Sequence, residues 1–123
     1  MAKIERFEDI ESWKKARVLT NRLYAVTNAG EFARDFELRG QIRRATVSVM
    51  SNIAEGFERG GGDKEFCRFL SIAKGSAGEV RAQLYVALDA GYLTPAEFEE
   101  LTQLATDVSR LLSRFMQYLG SGN

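Results

Sequence analysis

The chain has 123 residues, with 17 basic and 17 acidic side chains, one cysteine and no histidine. That length suits one domain, and 45% hydrophobic with 28% charged residues is ordinary for a core that needs no staples. The lone Cys67 excludes an internal disulfide framework, the charged opening segment lacks a signal-peptide core, and no apolar run approaches a membrane span, so a reducing, cytoplasmic location is expected.

No segment reads as a strand, and the expectation is one all-α domain over 1–123. A first helix is expected over about 9–27, because Trp13, Ala16, Leu19, Leu23 and Val26 recur at helical spacing. Lys14, Lys15, Arg17 and Arg22 fall on its other side. Gly30 marks a stop in the following loop, where Phe32 and Phe36 are expected to tuck onto the core.

The second helix is expected over about 38–58. Ile42, Ala45, Val47, Val49, Met50, Ile53, Ala54 and Phe57 cover an arc of roughly 200° at 100° per residue. A bundle helix touching only its own neighbours needs an apolar stripe nearer 100°, so a second burial surface is expected. Arg43 sits inside the apolar arc and must snorkel or pair, with Glu55 the expected partner of Arg43 or Arg44. The glycine run 60–62 ends this helix, and Asp63 can cap the next.

The third helix is expected over about 63–90, with Phe66, Phe69, Leu70, Ala73, Ala77, Val80, Leu84 and Leu88 as its stripe. Another side holds Ser71, Gly75, Gly78 and Ala82. Glycine inside a helix costs roughly 1 kcal/mol against alanine, which close approach of another backbone or a ligand would offset. Thr94-Pro-Ala-Glu97 combines an N-cap, a first-position proline and a capping-box glutamate. It opens a fourth helix over about 95–119, and the tail after it should fray. Four such helices with short loops make an antiparallel four-helix bundle.

The inventory of reactive groups argues against an enzyme. Histidine, the commonest general base and metal ligand, is absent, and so is the Glu-x-x-His pair of the carboxylate-bridged di-metal bundles. Cys67 has no histidine partner and reads as a small hydrophobe. The glycine run lacks the lysine and following Ser or Thr of a phosphate loop. No cofactor or metal is expected, and Glu55 and Glu79 are not set as a catalytic pair.

Two surfaces stand out instead. Ser48, Asn52 and Glu55 on the second helix, with Ser71, Gly75, Ser76 and Glu79 on the third, could be a solvated stripe. Serine and asparagine are poor choices for a merely exposed helix, so hydrogen bonds across a packed seam are the other reading. The second surface is basic: eight basic and three acidic residues lie between Lys14 and Arg44. Lys14, Lys15, Arg17, Arg22 and Arg44 are the candidate nucleic-acid contacts, electrostatic and indifferent to sequence, with no interleaved aromatic ring for stacking. The acidic residues between Arg81 and Arg110 mostly open the fourth helix, where carboxylates favour the dipole.

Three motifs resemble one known family. They are Phe7-Glu-Asp-Ile-x-x-Trp13-Lys-x-Ala16, Gln41-x-x-Arg44-Ala-x-x-Ser48-x-x-x-Asn52-Ile-Ala-Glu-Gly56 and Phe69-x-x-x-Ala73-x-Gly-Ser76-x-x-Glu79, with Gly91-Tyr92 beyond them. The chain resembles bacterial four-helix-bundle proteins encoded in intervening sequences of large-subunit ribosomal RNA genes. A related branch comprises accessory proteins of diversity-generating retroelements. The resemblance implies a ring-shaped homopentamer and, from that branch, binding to nucleic acid and to a reverse transcriptase. The accessory proteins are more strongly basic than this neutral chain. Two functions are therefore expected in competition: a homo-oligomeric module binding nucleic acid or a ribonucleoprotein, or a scaffold that recruits a protein partner and touches no nucleic acid.

Overall fold

A computed structural model of the chain describes residues 3–120, and among them lie four α-helices and no strand. The helices are α1 (Glu11–Thr27), α2 (Phe36–Arg59), α3 (Asp63–Asp89) and α4 (Pro95–Gly120). Short 3-10 turns at Phe7–Asp9 and Gly30–Arg34 precede α1 and α2. The tail expected to fray lies beyond the described residues apart from Gly120, which closes α4.

Local chemistry sets most of the boundaries. Asp35 caps α2 by accepting a 3.0 Å hydrogen bond from the Leu38 amide, so α2 starts at Phe36, earlier than the expected residue 38. Phe36 is consequently not in the core: it is 71% exposed at the first position of the helix, with the Arg39 guanidinium 4.9 Å from its ring centre. Only Phe32 of the two aromatics is buried. Gly60, at φ 62, ends α2. Gly62 rather than Asp63 holds the cap position of α3, and Asp63 is its first helical residue.

At the far end of α3, Gly91 has φ 81, its amide bonds to Leu88 O at 3.0 Å, and the Tyr92 amide bonds to Ala87 O at 2.9 Å. This pair of bonds is a Schellman ending, which a left-handed glycine makes without strain. The capping box then opens α4 as its spacing requires. Glu97 N donates to Thr94 Oγ1 at 3.1 Å, and Thr94 N donates to Glu97 Oε1 at 2.9 Å.

Each helix packs on its neighbours in sequence, and α1 also packs on α4, so the four enclose a single core of a helical bundle. Leu19, Leu23, Ile42, Val49, Ile53, Leu70, Leu84, Leu101 and Leu112 are fully buried in it. One polar bridge crosses this core. Thr20 Oγ1 donates to Ala16 O and lies 2.8 Å from Thr46 Oγ1, which joins α1 to α2. Where α2 nears the glycine loop, a Cβ on the buried Gly56 would come within 2.7 Å of Phe69 Cβ. That glycine permits the close approach of α2 and α3. At the same end of the bundle, Ile4, the Gly60–Gly62 loop, Phe66, Tyr118 and Leu119 line one cleft.

Candidate interaction surfaces

The polar seam is assembled in part. Ser48 Oγ and Ser76 Oγ are 2.9 Å apart across α2 and α3, and Asn52 Nδ2 donates to both Ser48 O and Ser48 Oγ at 2.9 and 3.0 Å. One turn further along, Gln41, Arg44, Ser48, Ser76 and Glu79 line a shallow cleft of about 350 Å³. Glu79 also accepts a long 3.5 Å bond from Gln83. Glu55 is not part of this constellation. It pairs along α2 with Arg59, 3.7 Å away, and does not line the cleft.

 Ser71 and Gly75 lie outside the seam too, on the exposed side of α3.

Arg43 does not pair with Glu55. Its Nε donates to Thr27 Oγ1 at 2.9 Å, its Nη2 reaches Tyr24 O at 3.4 Å, and its guanidinium lies 4.3 Å from the Tyr24 ring centre. The side chain crosses to α1 and finds a hydroxyl, a carbonyl and a π face in place of a carboxylate. Arg44, one residue on, is exposed and lines the shallow cleft.

The expected basic surface of α1 is partly neutralised. Arg22 forms a two-pronged bond with Glu100 of α4, both contacts at 2.9 Å, and the Lys14 ammonium lies 3.1 Å from Glu11. The hydrogen bonds from Arg22 hold the Glu100 carboxyl below its usual range, and the same contact raises the Arg22 guanidinium further. Arg17 is exposed, with its guanidinium 5.9 Å from the Trp13 ring centre, so an aromatic ring does accompany this surface. Lys15 is half-buried. Of the five cations expected to act together, Lys15, Arg17 and Arg44 are outside any ion pair among the described residues.

The outer side of α3 is a ridge of small residues. Ser71, Gly75, Gly78 and Ala82 are all exposed, and a Cβ at either glycine would meet nothing within 4 Å. Neither glycine is explained by a contact among the described residues. Ile72, Tyr85 and Val86 flank the ridge, each at least half exposed at 50%, 54% and 54%. Cys67 is half-buried, its thiol 3.7 Å from Met116 O, and burial with the nearby Asp63 charge raises its pKa.

Sequence reasoning missed a second basic surface. Lys74 and Arg81 of α3 share a groove with Arg110 and Arg114 of α4, together with Thr106, Ser109 and Ser113. The spacing signal was present, seven residues on α3 and four on α4, but the pairs lie far apart in sequence with the acidic stretch between them.

These features define an all-helical bundle whose distinctive chemistry lies on its outer faces. Residues 8–114 match the model of the 23S rRNA-intervening sequence protein family, and the chain belongs to that family. It is also similar to a crystal structure from Bacteroides thetaiotaomicron VPI-5482, of a protein with unknown function from the S23 ribosomal protein family. That similarity has a TM-score of 0.76 and 23% identity over 85% of this chain and 97% of the other, and at such identity it shows the fold alone. No curated protein matches the chain. No helix among the described residues is long and apolar enough to cross a membrane.

Proposed function

We propose that the chain is a non-enzymatic module, an antiparallel four-helix bundle that assembles in the cytoplasm as a ring-shaped homo-oligomer of five copies and binds nucleic acid or a ribonucleoprotein weakly. The observation that carries this reading is the α3 ridge. Gly75 and Gly78 weaken a helix by roughly 1 kcal/mol each, yet nothing among the described residues occupies the space they leave. A second copy packed on the ridge, against Ile72, Tyr85 and Val86, would use that space and cover the exposed apolar surface. Antiparallel packing is supported by the registers of Thr20 with Thr46, Ser48 with Ser76 and Cys67 with Met116. Exposed cations repeated round a ring act as one multivalent surface, which offsets weak single-site affinity.

One observation favours a second reading. The pairing of Lys14 with Glu11 and of Arg22 with Glu100 removes two cations from the α1 surface. A protein-recruiting scaffold needs no such surface, and a reverse transcriptase, the partner implied by the retroelement likeness, or another protein would then be its target. Light scattering decides the assembly, with a 13.8 kDa particle at micromolar concentration overturning it. Titration of labelled RNA and DNA at low salt decides the ligand. Binding that weakens steeply between about 50 and 200 mM salt supports the first function, and none at tens of micromolar protein leaves the scaffold.

A further inference from the structure

We infer that the groove between α3 and α4 is where the phosphodiester backbone of a nucleic acid sits, an assignment that rests on the nucleic-acid reading above. Lys74, Arg81, Arg110 and Arg114 line this groove, and all four are exposed. None of them takes part in a salt bridge among the described residues. The other lining residues are Thr106, Ser109 and Ser113, so no carboxylate lines the groove and three hydroxyls are at hand. In a chain whose formal net charge is zero, this is a local concentration of one sign.

The dimensions suit a chain of phosphates better than a single one. Lys74 and Arg81 are seven residues apart, a rise of about 10 Å along α3 at 1.5 Å per residue. A nucleic-acid strand carries one phosphate per roughly 3.4 Å of duplex axis, so that rise spans about three phosphates. The groove is also shallow, with about 600 Å³ between exposed side chains, and lacks the enclosure that would hold a lone small anion. Neutralising several phosphates releases counterions, and this gives exposed cations collective affinity that none has alone. Arginine and lysine contacts to phosphate, with hydroxyls beside them, position a backbone without reading its sequence. The α1 surface compares poorly, because Glu11 and Glu100 already occupy Lys14 and Arg22.

The test compares the full chain with two multiple variants. One carries Lys74→Gln, Arg81→Gln, Arg110→Gln and Arg114→Gln. The other carries Lys14→Gln, Lys15→Gln and Arg17→Gln on α1. Fluorescence anisotropy with labelled 30-nucleotide RNA and DNA, single- and double-stranded, is measured across a salt series. The groove variant should bind at least about tenfold more weakly at 50 mM salt, with a log–log salt slope shallower by about three. The α1 variant should weaken less than the groove variant. Circular dichroism checks that each variant keeps its helices. Should the fourfold variant lose them, Arg110→Gln alone decides, with an expected slope change of about one. A groove variant that binds like the wild type, or less weakly than the α1 variant, overturns this assignment and leaves nucleic-acid binding standing. A wild type that binds none of the four probes removes both together.

Discussion

The Tyr92 hydroxyl, just past the end of α3, donates a 2.9 Å hydrogen bond to the Asp35 carboxylate that caps α2. The Leu38 amide first, and the Tyr92 hydroxyl second, hold the Asp35 carboxyl below its ordinary value of 3.8. A carboxyl depressed in the folded state contributes stability that is present above its unfolded pKa and is lost as the pH falls through the folded one. Tyr92→Phe should therefore be less stable than the wild type at pH 7, and the gap should narrow once the pH is well below 3.8. Urea midpoints at pH 7 and at pH 2.5 check this, and an undiminished gap at the lower pH would show that the carboxylate is not the cause.

Gly56→Ala should destabilise the chain. The added methyl would fall 2.7 Å from Phe69 Cβ and 2.9 Å from Phe66 Cδ1. The first of these atoms is anchored at its backbone and cannot swing away. Overpacking of this kind costs typically 1–3 kcal/mol, roughly, and urea unfolding would read it directly.

Gly75→Ala and Gly78→Ala should behave in the opposite way within one chain. Both positions are helical and open, so each alanine should stabilise the separate protomer by about 1 kcal/mol. Gly75→Leu should shift the particle mass in light scattering if the ridge is packed against another copy. An unchanged mass for the leucine variant would show that the ridge is only solvated.

Arg43 should couple to Thr27 and not to Glu55. A double-mutant cycle between Arg43→Met and Thr27→Val should give at least about 0.5 kcal/mol, whereas the cycle with Glu55→Gln should stay below about 0.3 kcal/mol. Their structural basis is the 2.9 Å bond from Arg43 to Thr27, against the engagement of Glu55 with Arg59.

The helices were legible because their signals are local. Thr94, Pro95 and Glu97 open α4 through bonds spanning three residues, and the apolar stripes of α1 and α4 recur at a spacing that needs no knowledge of the partner helix. Asp35 was harder to place, since a cap and a loop aspartate look alike until the Leu38 amide is seen. The surfaces were less legible still. Periodicity shows that Arg43 sits among apolar residues but cannot show that it reaches Thr27, and it cannot show that Glu100, 78 positions away, takes up Arg22. The groove cations belong to two helices whose pairing only the packed core establishes. Ser48, Asn52 and Ser76 were found from their spacing because they lie where α2 and α3 meet.

The cleft shared by Ile4, the Gly60–Gly62 loop and Leu119 places both extremities of the described chain beside the turn joining α2 to α3. A short peptide could therefore bridge the extremities, and the circle could be reopened within the glycine turn, since Gly60 to Gly62 are all exposed. The permuted polypeptide would begin at α3 and end with α2 while keeping every helix uncut.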